Sequence, residues 1–214
     1  MPRAIDTGCS HFCLRVTDIT AASTYLRDQG VAVLGRPMRI DSGPLKDFHW
    51  QYFHSPWGGY FEIQQWAPGK PSRQVSRLAT HSDTDTTASI PTVVGLDHAG
   101  FVVVDIEAAI TALESIGGSY VLGSVVDADQ EFMLEQFQLA ATGTMRMAMV
   151  RFGDVNLELF QHDATIIHGA PQRVKPPLAG VPGHTVISVS LPPSEPAAQL
   201  LESLGLTVAL GFPA

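Results

Sequence analysis

The chain has 214 residues, of which 45% are hydrophobic and 16% charged, the composition of an ordinary globular protein rather than a disordered one. Its formal net charge of −8 and pI near 5.3 argue against a nucleic-acid or anionic-membrane partner, because Lys and Arg carry phosphate affinity and are outnumbered here. The only cysteines, Cys9 and Cys13, lie so close that a bridge would close a trivial loop, and they read as reduced thiols.

The start, Met1 to Asp6, lacks the apolar core of a secretion signal, and no run approaches the roughly 20 apolar residues of a membrane span, so a cytoplasmic location is the default expectation. The first predicted strand opens at His11 and continues through Phe12-Cys13-Leu14-Arg15-Val16. Asp18 suits the N-terminal cap of a helix carrying Ala21-Ala22 and Leu26, and Gly30 suits its left-handed stop. A second strand is predicted over Val31 to Leu34. After an excursion comes a hairpin, Trp50 to Phe53 and Tyr60 to Trp66, turning at Gly58-Gly59.

The same order returns from His98. Asp105, Ala108-Ala109, Leu113 and Gly117 recur at the offsets of Asp18, Ala21-Ala22, Leu26 and Gly30, and Ile106, Ala109, Ile110 and Leu113 share one helical face. A strand is predicted at Tyr120 to Leu122. The excursion from Asp127 to Gln138 reads either as a lid or as an ordinary surface helix. The hairpin follows at Arg146 to Phe152 and Val155 to Phe160, turning at Gly153-Asp154, and the alternating Met145, Met147 and Met149 read as core. A third copy begins at His184, repeats Ala197-Ala198, Leu201, Gly205 and Leu210-Gly211, and has no counterpart of the last hairpin before Ala214.

Repeats of this kind are supersecondary units that cannot bury a core alone. The predicted organisation is a βαβββ module at 7–66, a polar linker at 67–92, a second βαβββ module at 93–163, a Pro-rich linker at 164–182 and an incomplete βαβ module at 183–214. The fold class is α+β: paired βαβββ modules forming a cup-shaped open β-barrel with the helices outside. Half-cups have open sheet edges, which intrachain pairing or a homodimer must cover.

The last strand of each complete module holds a Glu between large apolar residues, Glu62 in Tyr60-Phe61-Glu62-Ile63 and Glu158 in Asn156-Leu157-Glu158-Leu159-Phe160. Side chains alternate along a strand, so with the apolar neighbours facing the helix both carboxylates face the cup, as do His11, Cys13 and Arg15. A lone strand-start His is ordinarily a satisfied buried residue and a lone strand Glu a solvated one. Here the pair recurs at matching places, and an unpaired buried Glu is costly. If the modules close one cup, His11, Glu62, His98 and Glu158 form a mixed N/O set suited to a divalent transition metal (Fe, Ni, Co, Mn or Zn) with open coordination positions.

These features resemble the vicinal-oxygen-chelate superfamily, which includes glyoxalase I, methylmalonyl-CoA epimerase, extradiol dioxygenases, bleomycin-resistance proteins and cyclitol epimerases. The resemblance rests on Gly95 to Val103, Glu131 to Phe137, Asn156 to Phe160 and Tyr52 to Glu62. It places the first-strand ligand at His11 and His98 and the last-strand ligand at Glu62 and Glu158. It implies a metal that acts as a Lewis acid on a developing enolate of a small oxygenated substrate, with Glu62 or Glu158 as general base. Two His with two Glu is closer to the glyoxalase and epimerase pattern than to dioxygenases, whose iron takes two His and one carboxylate, so lyase or isomerase chemistry is favoured over an extradiol-type dioxygenase. The alternative class is a metal-free drug or metabolite binder of the bleomycin-resistance type. Further candidates for substrate contact are Arg15, Cys13, Tyr60, Gln64, Met133, Gln136 and Arg146. For Arg15 a partner role to Glu62 is the competing reading, and Cys13 reads as a buried filler rather than a nucleophile. The third copy supplies at most His184, which in a swapped assembly would take the first module's role.

Overall fold

The computed structural model describes residues 4–43, 45–67, 90, 92–152, 155–163 and 166. Most of the two predicted linkers, the third repeat with His184, and the Gly153-Asp154 turn lie outside the described residues. In chain order the elements are β1 (Gly8–Val16), α1 (Ile19–Asp28), β2 (Ala32–Val33), β3 (Met38–Arg39), β4 (His49–His54), β5 (Tyr60–Gln65), β6 (Val93–Val102), α2 (Ile106–Ser115), β7 (Ser119–Ala128), α3 (Gln130–Phe137), β8 (Gly143–Phe152) and β9 (Val155–His162).

The helix signals work as the sequence predicts. Asp18 accepts a hydrogen bond from the Ala21 amide and Asp105 from the Ala108 amide, each at the N-terminus of a helix. Gly30 (φ 75°) and Gly117 (φ 100°) take the left-handed conformation just past the helix ends. Each helix buries one stripe, Ile19, Ala22 and Leu26 in α1 and Ile106, Ala109, Ala112 and Leu113 in α2.

All strands belong to one nine-stranded mixed sheet with the order β2-β4-β5-β1-β6-β9-β8-β7, and β3 pairs with β4 beside it. The first repeat supplies β2-β4-β5-β1 and the second β6-β9-β8-β7. In each, the last strand runs parallel to the first, β5 to β1 and β9 to β6. The two first strands, β1 and β6, meet antiparallel at the seam. The fold is therefore α+β with duplicated modules, as the repeat implied.

One face of the sheet carries α1 over Val16, Phe53 and Ile63, and α2 over Ala99, Leu157, Leu159, Ala148 and Val150. The other face buries a single cluster drawn from both repeats, with Leu34 and Tyr52 beside Phe132, Met133, Met145, Met147 and Phe160. Trp50 of β4 and Phe132 of α3, the helix between β7 and β8, have ring centroids 5.4 Å apart, although four strands lie between β4 and β8 in the sheet. Residues from both halves of the sheet thus share one apolar cluster on this face, consistent with a cup.

Two elements differ in extent from the sequence reading. β7 runs ten residues, through Gly123 to Ala128, because its partner β8 offers a full ladder and Leu122, Val126 and Ala128 pack into the cup cluster. The excursion after it holds a true helix, α3, capped by Asp129, whose buried Phe132, Met133, Gln136 and Phe137 fix it against the first repeat. Among the described residues no helix is long and apolar enough to cross a membrane.

Candidate metal centre

The seam between β1 and β6 brings the four candidate ligands together. His11 pairs across from Tyr60 and Gly100, Cys13 from Glu62 and His98, and Glu158 from Gly100. Gly100 is required where it stands: a Cβ there would overlap the His11 imidazole, so the absence of a side chain lets the ring lie over the neighbouring strand.

His11 Nε2 lies 3.0 Å from Glu62 Oε2 and 3.4 Å from Glu158 Oε2, and His98 Nε2 lies 3.1 Å from Glu158 Oε2 and 3.5 Å from Glu62 Oε2. The two Nε2 atoms are 3.2 Å apart. One ligand atom from each residue falls within 4.8 Å of the other three, and all four residues are buried. Two imidazole nitrogens and two carboxylate oxygens converge on one point, and Glu158 Oε2 is buried facing both imidazoles without a well-aligned hydrogen bond among the described residues. The donor set fits a divalent transition cation: neutral imidazoles and carboxylates are its usual ligands, and four of them leave positions free for substrate.

The electrostatics follow from burial and crowding. Burial alone would lower the His11 pKa, but hydrogen bonds and charge from Glu158 and Glu62 outweigh it and raise it. Burial likewise opposes charge on His98, while Glu158 and Asp97 help to hold its pKa well above the usual imidazole value. Burial pushes Glu158 up, yet the two imidazoles dominate and bring it down to about 2. The surrounding carboxylates thus favour positive charge at the point where the two rings meet.

The other histidine nitrogens are tied by local backbone irregularities. On β6 the ladder skips a residue between His98 and Leu96, so Asp97 is the extra residue of a β-bulge and its carboxylate reaches His98 Nδ1 at 3.0 Å. On β1 the matching skip falls at Ser10, whose Oγ lies 2.9 Å from His11 Nδ1. Both partners leave Nε2 pointing at the centre, the arrangement that fixes tautomer and ring orientation in metal sites. Asp97 also accepts hydrogen bonds from Arg15 Nε at 2.6 Å and Trp66 Nε1 at 3.1 Å, and the Arg15 guanidinium stacks on Trp66 at 3.9 Å. Its partners hold the Asp97 carboxyl below its ordinary range despite burial.

The remaining candidates separate into those on the cup face and those elsewhere. Cys13 is fully buried between Glu62 and His98, and burial together with the Glu62 charge raises its thiol pKa well above the ordinary value, which suits a filler and not a nucleophile. Arg15 is on the cup face, but its partner is Asp97, not Glu62. Gln64 is buried on the same face opposite Arg15 and Trp50, and Tyr60 packs half-buried against Tyr52 and His54.

Met133 is fully buried in the shared cluster. Gln136 is engaged at both ends, with Oε1 accepting from the Tyr52 amide at 3.2 Å and Nε2 donating to the Arg36 carbonyl at 3.0 Å, so it ties α3 to the first repeat. Arg146 is a correction to the expected site: Met145 and Met147 face the cup, so Arg146 faces outward and pairs with Glu107 of α2. It borders an outer cleft of about 500 Å³ between α2 and β7-β8, away from the four donors. Asp97 and Tyr52, whose ring stands edge-on to His11 at 5.0 Å, belong to the site and were not singled out from sequence.

No family model matches the chain. Over 79 residues it is 43% identical to 2-epi-5-epi-valiolone epimerase of Actinomyces sp., an alignment that covers 36% of this chain and 43% of that protein. In structure it is similar to a glyoxalase I variant from Zea mays, with a TM-score of 0.54 and 16% identity over 94% of this chain and 57% of that one. Methylmalonyl-CoA epimerase from Mycobacterium tuberculosis matches with a TM-score of 0.48 and 15% identity, over 79% of this chain and 97% of that one. The chain thus spans less than half of the curated relative and little more than half of the maize glyoxalase I chain.

Proposed function

Since the chain has the vicinal-oxygen-chelate fold, we propose that it is a metal-dependent enzyme of the epimerase or isomerase type, acting on a small substrate with two neighbouring oxygens. The observation that carries the reading is the convergence of His11, Glu62, His98 and Glu158 within 4.8 Å at the seam of the two repeats. These four would hold the metal. A divalent cation bound there supplies Lewis-acid polarisation of adjacent carbonyl and hydroxyl oxygens and offsets the negative charge that develops when a neighbouring C–H loses its proton.

The protein's own groups complete the chemistry. Glu62 and Glu158 are related by the internal repeat and approach the centre from opposite sides of the seam, β5 and β9. One of them takes the proton from the carbon beside the carbonyl as general base. Return of a proton to the opposite face gives the epimer, and return to the neighbouring carbon gives the isomer. Asp97 and Ser10 hold the imidazoles in the tautomer that presents Nε2. Tyr52 and Phe160 flank the His11 ring with apolar surface that excludes water and strengthens each charge interaction. The similarity to an epimerase over 79 residues supports this reading over oxygen insertion.

Metal analysis of the purified chain, followed by titration with Fe, Ni, Co, Mn and Zn, tests the proposal together with solvent deuterium incorporation into α-hydroxy ketones. Stoichiometric metal and metal-dependent exchange are expected. A chain that takes up none of these ions and binds small molecules unchanged would be the metal-free binder instead.

A further inference from the structure

The internal repeat allows each position on one side of the centre to be compared with its counterpart on the other. Glu62 matches Glu158 and His11 matches His98, so Trp66 matches His162, Arg15 matches Val102, and Asp97 matches Ser10. On the first side the three positions close on one another: Trp66 and Arg15 both donate to Asp97 and stack together. On the second side Val102 and Ser10 offer no such partner, and His162 is left with both ring nitrogens buried and without a hydrogen-bond partner among the described residues. His162 is only 6% exposed, stacked beside Phe160 and edge-on to Phe137, each at 6.2 Å, across from Met145 on the cup face. Leaving a buried donor and acceptor unmade is costly, so such a group calls for a partner that comes and goes.

The charge balance says what the partner is. The buried carboxylates among the described residues are Glu62, Asp97 and Glu158, and the buried Lys or Arg is Arg15 alone, which is paired with Asp97. With a divalent cation in place the charges of this set cancel, and among the described residues no buried cation remains for a phosphate or carboxylate of the ligand. Burial keeps the His162 ring neutral, its pKa lowered to about 4, so it can donate one hydrogen bond and accept another but brings no charge. A neutral imidazole against aromatic and methionine surface suits a hydroxylated carbon skeleton.

We propose that His162 is a substrate-binding residue that hydrogen-bonds a hydroxyl of a neutral polyhydroxylated ketone, and that the substrate lies on the second-repeat side of the four-donor centre. This rests on the reading that the centre holds a divalent metal and takes adjacent oxygens.

The test is calorimetry on the full chain loaded with Co²⁺, comparing wild type, His162→Phe and His162→Gln. The probes are 2-keto-myo-inositol as the neutral polyhydroxylated ketone and pyruvate as a 2-keto acid. The neutral probe binds wild type in preference to pyruvate, at least tenfold more weakly to His162→Phe, and at an intermediate strength to His162→Gln. Co²⁺ affinity stays within twofold throughout, and His162→Phe unfolds at an equal or higher denaturant midpoint, because it removes two orphaned nitrogens and keeps the ring packing. Equal binding of the neutral probe to wild type and His162→Phe, preference for pyruvate, no binding of the neutral probe, or loss of both Co²⁺ and stability in His162→Phe would overturn the assignment. If wild type takes up no Co²⁺ the metal reading falls by itself, and the same comparison of probe binding on the metal-free chain decides the role of His162.

Discussion

His98 donates through Nδ1 to the carboxylate of Asp97, its immediate neighbour in the chain, at 3.0 Å. Adjacent residues of a regular strand point to opposite faces and cannot meet this way. The bulge opposite Cys13 and Leu14 puts both on the cup side. His11 has only the Ser10 hydroxyl in the equivalent position. The two imidazoles are therefore unequal: an anionic partner makes His98 the more basic of the two, and Arg15 and Trp66 hold that partner still.

Asp97→Asn is expected to weaken metal binding by about 10- to 100-fold, the usual cost of losing such a partner. It also strands the buried Arg15 guanidinium, with a stability loss on the order of 3–5 kcal/mol. Restoring apolar balance with Asp97→Asn and Arg15→Met together recovers stability but not metal affinity. Urea denaturation and metal titration on the two variants separate the effects; equal metal affinity in wild type and Asp97→Asn would remove Asp97 from the site.

Gly100→Ala adds a methyl group where the His11 ring lies. The imidazole must swing away from Glu62 and Glu158, so metal affinity falls more than tenfold while the outer core of β6, β9 and α2 keeps its packing. Far-ultraviolet circular dichroism should be near wild type. Full metal affinity in this variant would mean that the ring need not lie over β6.

Glu62→Gln and Glu158→Gln keep the shape of each side chain and remove its basicity. Solvent deuterium exchange into an α-hydroxy ketone is expected to drop by about 10²- to 10⁴-fold in the variant that loses the base and less in the other. The asymmetry identifies which carboxylate moves the proton. Undiminished exchange in both variants would place the base elsewhere.

The stability of the chain should carry a distinct acid limb from His162. Its pKa is about 4 in the folded chain and near 6.5 unfolded, so between those values the unfolded state binds a proton that the folded state does not. Stability therefore falls as the pH drops from about 6.5 towards 4, by roughly 3 kcal/mol for the full shift. In the metal-free chain His11 and His98 act in the opposite sense. Their pKa values are raised, so their contribution is complete below about 6.5 and is lost as the pH rises through the folded values. Subtracting the profile of His162→Phe isolates the first limb, and parallel profiles would show that His162 is not buried neutral.

The convergence of His11, Glu62, His98 and Glu158 could be read from sequence because two independent regularities agree on it. Period-two alternation put His11 and Glu62 on the face opposite Phe12, Leu14 and Ile63, and the repeat put His98 and Glu158 in the same places. Asp97 escaped because alternation assigns it to the wrong face, and a bulge is set by pairing with a distant strand rather than by local residues. The length of β7 escaped for a related reason: Gly123 reads as a stop, yet the β8 ladder carries the strand past it. The position of Arg146 was legible, since cup-facing methionines on both sides of it leave only the outer face. What Gln136 does was not, because its two partners lie 84 and 100 residues away.

The seam of β1 and β6 makes the duplication indivisible. Each repeat supplies one histidine and one glutamate of the converging four, and the ring of one repeat rests on a glycine of the other. A change that twists either strand shifts donors inherited from both halves at once. The two copies are thus bound to evolve as a pair, free to diverge in their helices and outer faces but not along the line where they touch.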